Sequence, residues 1–209
     1  MIAVIDYDAG NIQSVKKAVN ALGSKAVLTS DPEVIGAASG VILPGVGAFG
    51  AAMERLEGLN LCDCIRDACN RGIPFLGICL GLQLLFEDSE ESPGVKGLGI
   101  LKGHILKIPE EGGLRVPHIG WNELELSGSS RLFSGCGDDH FVYFVHSYYL
   151  AASDRNIVTA QASYGVKIDA AVEHNNIFAV QFHPEKSGEV GLYILKQFLR
   201  LCQENSHVD

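Results

Sequence analysis

An α/β fold, with a doubly wound, mostly parallel sheet carrying helices on both faces, is predicted by three features of the sequence. Short apolar runs alternate with amphipathic segments through the first half of the chain. Those runs are nearly continuous in hydrophobicity, as strands buried on both faces require. Beyond them lie several strand patterns separated by short turns, so some antiparallel strands are expected in the C-terminal part.

The run from Ile2 to Asp6 reads as the first buried strand, and Asn11 is placed to cap a helix that stops before Gly23. Ala26 to Thr29 is a second strand. Asp31-Pro32 combines a cap with a proline suited to a first helical turn, and Val41 to Leu43 follows as a third strand ending in Pro44-Gly45. This βαβαβ pattern places any active site at the carboxyl ends of the strands. Pro74 to Ile78 is a further strand, after which Leu82, Leu84, Leu85 and Phe86 are expected to begin a helix. Later strands are predicted at Val142 to Val145, Ile157 to Ala162, Ala170 to Glu173 and Phe178 to Phe182, with Asn175-Asn176 as a hairpin turn. Gly188 to Leu201 has the pattern of an amphipathic helix with Leu192, Leu195, Phe198, Leu199 and Cys202 at core spacing.

The 209 residues, 47% hydrophobic, suffice for one sizeable core, so residues 1–209 are expected to form a single domain. A formal charge of -9 without any basic cluster argues against nucleic acid or an anionic membrane as the main partner. The most apolar stretch, Ile73 to Phe86, is shorter than the roughly 18 residues of a membrane span. Six cysteines, at 62, 64, 69, 79, 136 and 202, match neither zinc-ligand spacing nor a disulfide framework. A reducing cytoplasm is the expected setting, and no metal or cofactor is called for.

Cys79 lies between Gly77 and Gly81 where a strand turns into a helix, the context of a nucleophile elbow with Cys in place of Ser. A sharp turn there lifts the side chain into the cleft, and a helix N-terminus favours a thiolate. Taken alone, the motif equally suits a small buried cysteine. A nucleophile needs a base, and the Phe178 to Phe182 strand runs into His183-Pro184-Glu185. Alternate side chains of an extended segment share a face, so Glu185 is expected to orient His183 and complete a Cys-His-Glu triad. Pro44-Gly45-Val46-Gly47 follows another strand, and its glycines leave backbone amides free to face an oxyanion.

Gly77 to Gln83, read G-I-C-L-G-L-Q, and His183-Pro184-Glu185 resemble the class I, triad-type glutamine amidotransferases. Asp6-Tyr7, Ala9-Gly10-Asn11, P-G-V-G-A-F-G at 44–50, V-P-H-I-G-W-N at 116–122, Y-F-V-H-S-Y-Y at 143–149 and Q-F-H-P-E-K-S at 181–187 narrow the likeness to one branch. In that branch the chain supplies ammonia to a TIM-barrel cyclase of histidine biosynthesis, as one half of a heterodimer. The resemblance implies Cys79, His183 and Glu185 as the catalytic triad, with amides of Gly47 and Leu80 forming the oxyanion hole. It implies Gln83 and the backbone around His146, Ser147 and Tyr148 as the glutamine-binding groups, and Asn11, Trp121 and Lys186 at the partner interface. His118 keeps a structural reading, and the acidic stretch Glu87, Asp88, Glu90, Glu91 that of a solvated loop. Many members of the branch have glycine where this chain has Asp8.

Overall fold

Strands β1 (Ile2–Ile5), β2 (Ala26–Thr29) and β3 (Gly40–Gly45) alternate with helices α1 (Ile12–Ala21) and α2 (Pro32–Gly36), the order read from the sequence. The computed structural model describes residues 1–8, 10–110, 113–127, 129–138 and 140–205; Ala9 lies outside them. Asp31 starts α2 as expected, its carboxylate accepting the Glu33 amide at 2.9 Å ahead of Pro32. Two helices follow, α3 (Phe49–Gly58) and α4 (Leu61–Asn70), then strand β4 (Phe75–Cys79) and helix α5 (Leu80–Leu84).

Helix α5 is shorter than expected and stops before Phe86. The amides of Leu98, Ile100 and Gly99 donate to the carbonyls of Leu84, Leu85 and Phe86, and so tie off the groups a longer helix would have used. Strands β5 (Asp88–Ser89), β6 (Gly103–Lys107), β7 (His118–Glu123), β8 (Glu125–Leu126), β9 (Phe141–His146) and β10 (Tyr148–Ala152) come next. Strands β11 (Val158–Tyr164), β12 (Val166–His174) and β13 (Ile177–Val180), and helix α6 (Gly188–Asn205), complete the elements.

Eight strands form the main sheet in the order β2-β1-β3-β4-β13-β12-β11-β8. The first five are mutually parallel, whereas β12, β11 and β8 pair antiparallel. The β12–β13 turn is the Asn175-Asn176 hairpin, with Asn175 at φ 54°, a left-handed conformation that asparagine tolerates well. Two small sheets, β10-β6-β5 and β7-β9, stand beside the main one.

Helices cover both faces, as the continuous strand hydrophobicity requires. Phe49, Leu56, Ile65 and Leu82 of α3, α4 and α5 pack on one face. Val15 and Val19 of α1 pack on the other with Ile194, Leu195 and Phe198 of α6. Helix α6 extends past Leu201, and Leu192 lies outside its core stripe with 39% of its surface exposed. No helix among the described residues is long and apolar enough to cross a membrane. Parallel register sets Gly45 of β3 opposite Cys79 and Val180 of β13 opposite Ile78, so the end of β4 is flanked on both sides by strands ending at the same level.

Candidate active site

Cys79 ends β4 with φ 54° and ψ -108°, a backbone conformation costly for any residue but glycine. The glycines around it explain how such a turn packs. A Cβ on Gly81 would stand 1.8 Å from the Leu43 carbonyl oxygen, and one on Gly77 would stand 2.8 Å from that of Gly81. Strand, turn and helix are therefore pressed together backbone to backbone, and the Cys79 side chain is the one that projects. It lines a cavity of about 270 Å³ with Gly47, Leu80, Gln83, His146, Ser147, Tyr148 and His183. The triad, oxyanion and glutamine-binding candidates thus share this cavity, apart from Glu185, which stands directly behind it.

His183 and Glu185 meet for a different reason from the one the sequence suggests. Strand β13 ends at Val180, and residues Pro184–Lys186 form a 3-10 turn begun by the proline. The turn, rather than extended alternation, brings the Glu185 carboxylate back onto the ring: His183 Nδ1 lies 2.9 Å from Glu185 Oε1. Both side chains are buried, at 2% and 0% exposure. Burial opposes charge on His183, but the Cys79 sulfur and the Glu185 carboxylate outweigh it and raise its pKa to about 9. Its Nε2 has no hydrogen bond of ordinary geometry at rest.

Asn11 is turned inward. It stands at the N-cap position of α1 without capping it, and its Nδ2 donates instead to Glu185 Oε1 at 2.6 Å. The same carboxylate oxygen therefore receives both Asn11 and His183. Trp121 is 56% exposed on β7, Lys186 is exposed in the 3-10 turn and Asn11 is half-buried. Asp8 has φ 61°, the conformation for which glycine is the natural occupant, and its carbonyl accepts from the Arg55 guanidinium.

His146 borders the cavity but has no free ring nitrogen. Its Nδ1 is 2.9 Å from the Tyr148 carbonyl and its Nε2 is 3.0 Å from His118 Nδ1. Burial lowers the pKa of His146 to about 3 and that of His118 to about 4, so both rings are neutral near pH 7. His118 is stacked between Tyr164 and Phe144, in keeping with its structural reading.

Glu91 is a cavity-lining residue that the sequence did not reveal. It lines the cavity, and its Oε2 accepts the Phe49 amide at 2.7 Å, while Ser92 Oγ accepts that of Gly50 at 2.9 Å. Together they cap α3, whose own N-cap residue, Ala48, has no side chain to do so. The one available signal was an acidic-serine pair in a sequence whose α3 has no local cap. Tyr7 adds a buried tie, its hydroxyl donating to the Pro44 carbonyl at 2.9 Å.

A strained cysteine at a strand-to-helix turn, beside a histidine held by a buried glutamate, on an open parallel sheet, defines the triad-type amidotransferase class. Residues 3–202 match the family described as class-I glutamine amidotransferase, and the chain belongs to that family. It is 51% identical over 203 residues to imidazole glycerol phosphate synthase subunit HisH of Methanothermobacter thermautotrophicus, covering 97% of this chain and 100% of that one. It is 50% identical to the subunit of the same name from Bacillus cereus over 95% of this chain and 93% of that one. Within the family it belongs with these HisH subunits. In fold it is similar to a solved structure of glutamine amidotransferase, with TM-score 0.76 at 20% identity over 97% of this chain and 100% of that one. It is also similar to PurLQS from Thermotoga maritima, with TM-score 0.71 at 21% identity over 95% and 97%.

Proposed function

We propose that this chain, as a single glutaminase domain, hydrolyses glutamine to glutamate and ammonia with Cys79, His183 and Glu185. The ammonia passes to a TIM-barrel cyclase, which uses it to make imidazole glycerol phosphate and an aminoimidazole carboxamide ribonucleotide in histidine biosynthesis. The observation that carries this reading is the strained Cys79 facing a shared cavity with a His183 whose proton affinity is raised to about 9. A histidine so raised is a proton store, and beside it the cysteine is read as its thiolate partner.

The thiolate attacks the side-chain amide carbon of glutamine. The oxygen becomes an oxyanion, met by the Leu80 amide and by the amide of Gly47, each such donor being worth ~2.7–4 kcal/mol. Gly47 sits at φ 102°, so the peptide before it can turn without a side-chain clash. His183 gives its proton to the leaving nitrogen, the C–N bond breaks and ammonia departs, leaving a glutamyl thioester on Cys79. The same imidazole, again a base, takes a proton from water, whose oxygen displaces the sulfur as glutamate forms.

Substrate recognition is assigned to Gln83, to the Ser147-Tyr148 backbone and to Glu91. Gln83 Nε2 already donates to the Tyr148 carbonyl at 2.9 Å and to Gln181 Oε1 at 3.1 Å, so Oε1 is what it has to offer glutamine's N–H groups. The Glu91 carboxylate supplies an anion for the α-ammonium. Free ammonia in neutral water is mostly ammonium and unreactive, so the product must reach the cyclase sheltered; Trp121, Lys186 and the half-buried Asn11 are assigned to that interface.

The test uses the complex with the cyclase. Cys79→Ser should abolish synthesis driven by glutamine and leave synthesis driven by added ammonium salts near the parental rate. Glutamine-driven synthesis by this variant would remove Cys79 from its role.

A further inference from the structure

Gln181, the first residue after β13, has no role in the account so far, yet it is wholly buried beside the nucleophile. Register explains its place: Val180 stands opposite Ile78, so the next residue of each strand, Gln181 and Cys79, come side by side. Its Nε2 lies 3.7 Å from Cys79 Sγ, within reach of an N–H to sulfur hydrogen bond.

An amide can be turned about, and which end faces the sulfur decides whether the contact stabilises a thiolate or opposes it. Here the orientation follows from a backbone carbonyl. The Tyr148 oxygen can only accept, so the Gln83 atom 2.9 Å from it is the NH2 group. That NH2 directs its second hydrogen to Gln181 at 3.1 Å, which must answer with its oxygen. The Gln181 nitrogen is then left to the sulfur. The same carbonyl fixes the other branch: His146 donates to it from Nδ1, so His146 Nε2 must accept from His118 Nδ1. His118 Nε2 is in turn left as an acceptor facing Asn122 Nδ2 at 3.4 Å, and that amide also donates to the Ser163 carbonyl at 3.0 Å. Every polarity in the chain points one way, and reversing Gln181 would set two donors against each other at Gln83.

We propose that Gln181 is a further catalytic residue, whose side-chain amide donates a hydrogen bond to the Cys79 sulfur and stabilises its thiolate through the attack. The inference rests on Cys79 being the nucleophile. A neutral donor suits this position: a second cation would compete with His183, while a fixed N–H favours negative sulfur without changing the charge of the site. When the thioester forms the sulfur loses its charge and the bond weakens, so the donor acts on the reacting anion rather than on the intermediate.

The experiment measures alkylation of Cys79 by iodoacetamide, an uncharged reagent, as a function of pH in the full chain, with the labelled peptide identified by mass and residual glutaminase activity followed in parallel. Two variants are compared with the parent: Gln181→Glu, which places an acceptor against the sulfur, and Gln181→Met, of similar size and without a buried charge should the first fail to fold. The expected result is an alkylation profile moved to higher pH, with labelling about tenfold slower at neutral pH for Gln181→Glu, the size of a one-unit shift, and a smaller change in the same direction for Gln181→Met. For folded variants kcat falls while KM for glutamine changes less. If parental Cys79 is labelled with loss of activity but the folded variants keep the parental pH profile, Gln181 has no role at the sulfur and the triad stands. If labelling Cys79 leaves the parent active, the nucleophile itself is misassigned and this inference falls with it.

Discussion

The two halves of the catalytic arrangement are held by different means. Cys79 is fixed by backbone: φ of 54° at a turn where Gly77 and Gly81 leave no room for a methyl group. His183 and Glu185 are fixed by side chains, through the 2.9 Å bond between them and the 2.6 Å bond from Asn11. Backbone packing has no intermediate settings, whereas a hydrogen-bonded carboxylate loses its hold in steps. Damage to the elbow should therefore be all-or-none, and damage to the turn graded.

The largest effect is expected at Gly81→Ala. With a Cβ 1.8 Å from the Leu43 carbonyl, neither partner being a flexible side chain, the elbow cannot close, and the cost should exceed the ~1–3 kcal/mol of ordinary overpacking. Thermal unfolding should show a grossly destabilised or unfolded chain; a parental melting curve would mean that the strand and the helix do not abut here. Next comes His183→Asn, expected to lower kcat by ~10²–10⁴ with the fold intact, since it removes the proposed general acid and base. Combined with Cys79→Ser it should cost little more than the larger single change, because residues of one catalytic unit are not additive. Losses that multiply in the double variant would mean two independent contributions.

Glu185→Gln should lie lower, about 10²-fold, because the ring loses its charged partner but keeps its position in the turn. Asn11→Ala should be milder still, about tenfold, in line with one hydrogen bond to a charged group. This change should show in kcat of the chain alone, without the cyclase. If Asn11→Ala affected only assembly with the partner, its inward bond to Glu185 would carry no catalytic weight.

How far the sequence could foresee this arrangement depended on how far apart in the chain the interacting residues are. The elbow was legible because its cause is local: two glycines and a cysteine within five residues, after an apolar strand. The pairing of His183 with Glu185 was legible as a spacing but for a mistaken reason, since Pro184 opens a 3-10 turn where an extended strand was expected. Asn11 was foreseen as a cap because its actual acceptor, Glu185, is 174 positions away. Glu91 was passed over as a solvated acid for the same cause, its amide partner on α3 lying 42 residues earlier. The small sheets β10-β6-β5 and β7-β9 went unseen in part because two of their pairings join segments that only tertiary packing brings together.

The histidines give the smallest effect and sharpen the same contrast. His183 has its pKa raised to about 9 by Cys79 and Glu185, so its contribution to stability is complete below the unfolded value near 6.5 and is lost as pH rises through 9. His146 and His118 have theirs lowered to about 3 and 4 by burial, so their contribution is complete above 6.5 and is lost as pH falls. The melting temperature of the parent relative to His183→Gln should therefore narrow from pH 6.5 to 9, and relative to His118→Phe it should narrow as pH drops from 6.5 toward 4. Differences that stay constant across both ranges would contradict the assigned charge states.

The proposed activity turns on one sulfur meeting glutamine in this cavity. Incubation with a glutamine analogue carrying a diazoketone in place of the side-chain amide, followed by peptide mass mapping, tests it most directly. A single adduct on Cys79 is predicted, formed in step with loss of glutaminase activity, slowed by excess glutamine and much slower in His183→Asn. Inactivation with the adduct on another residue, or a Cys79 adduct that leaves glutamine hydrolysis unimpaired, would contradict it.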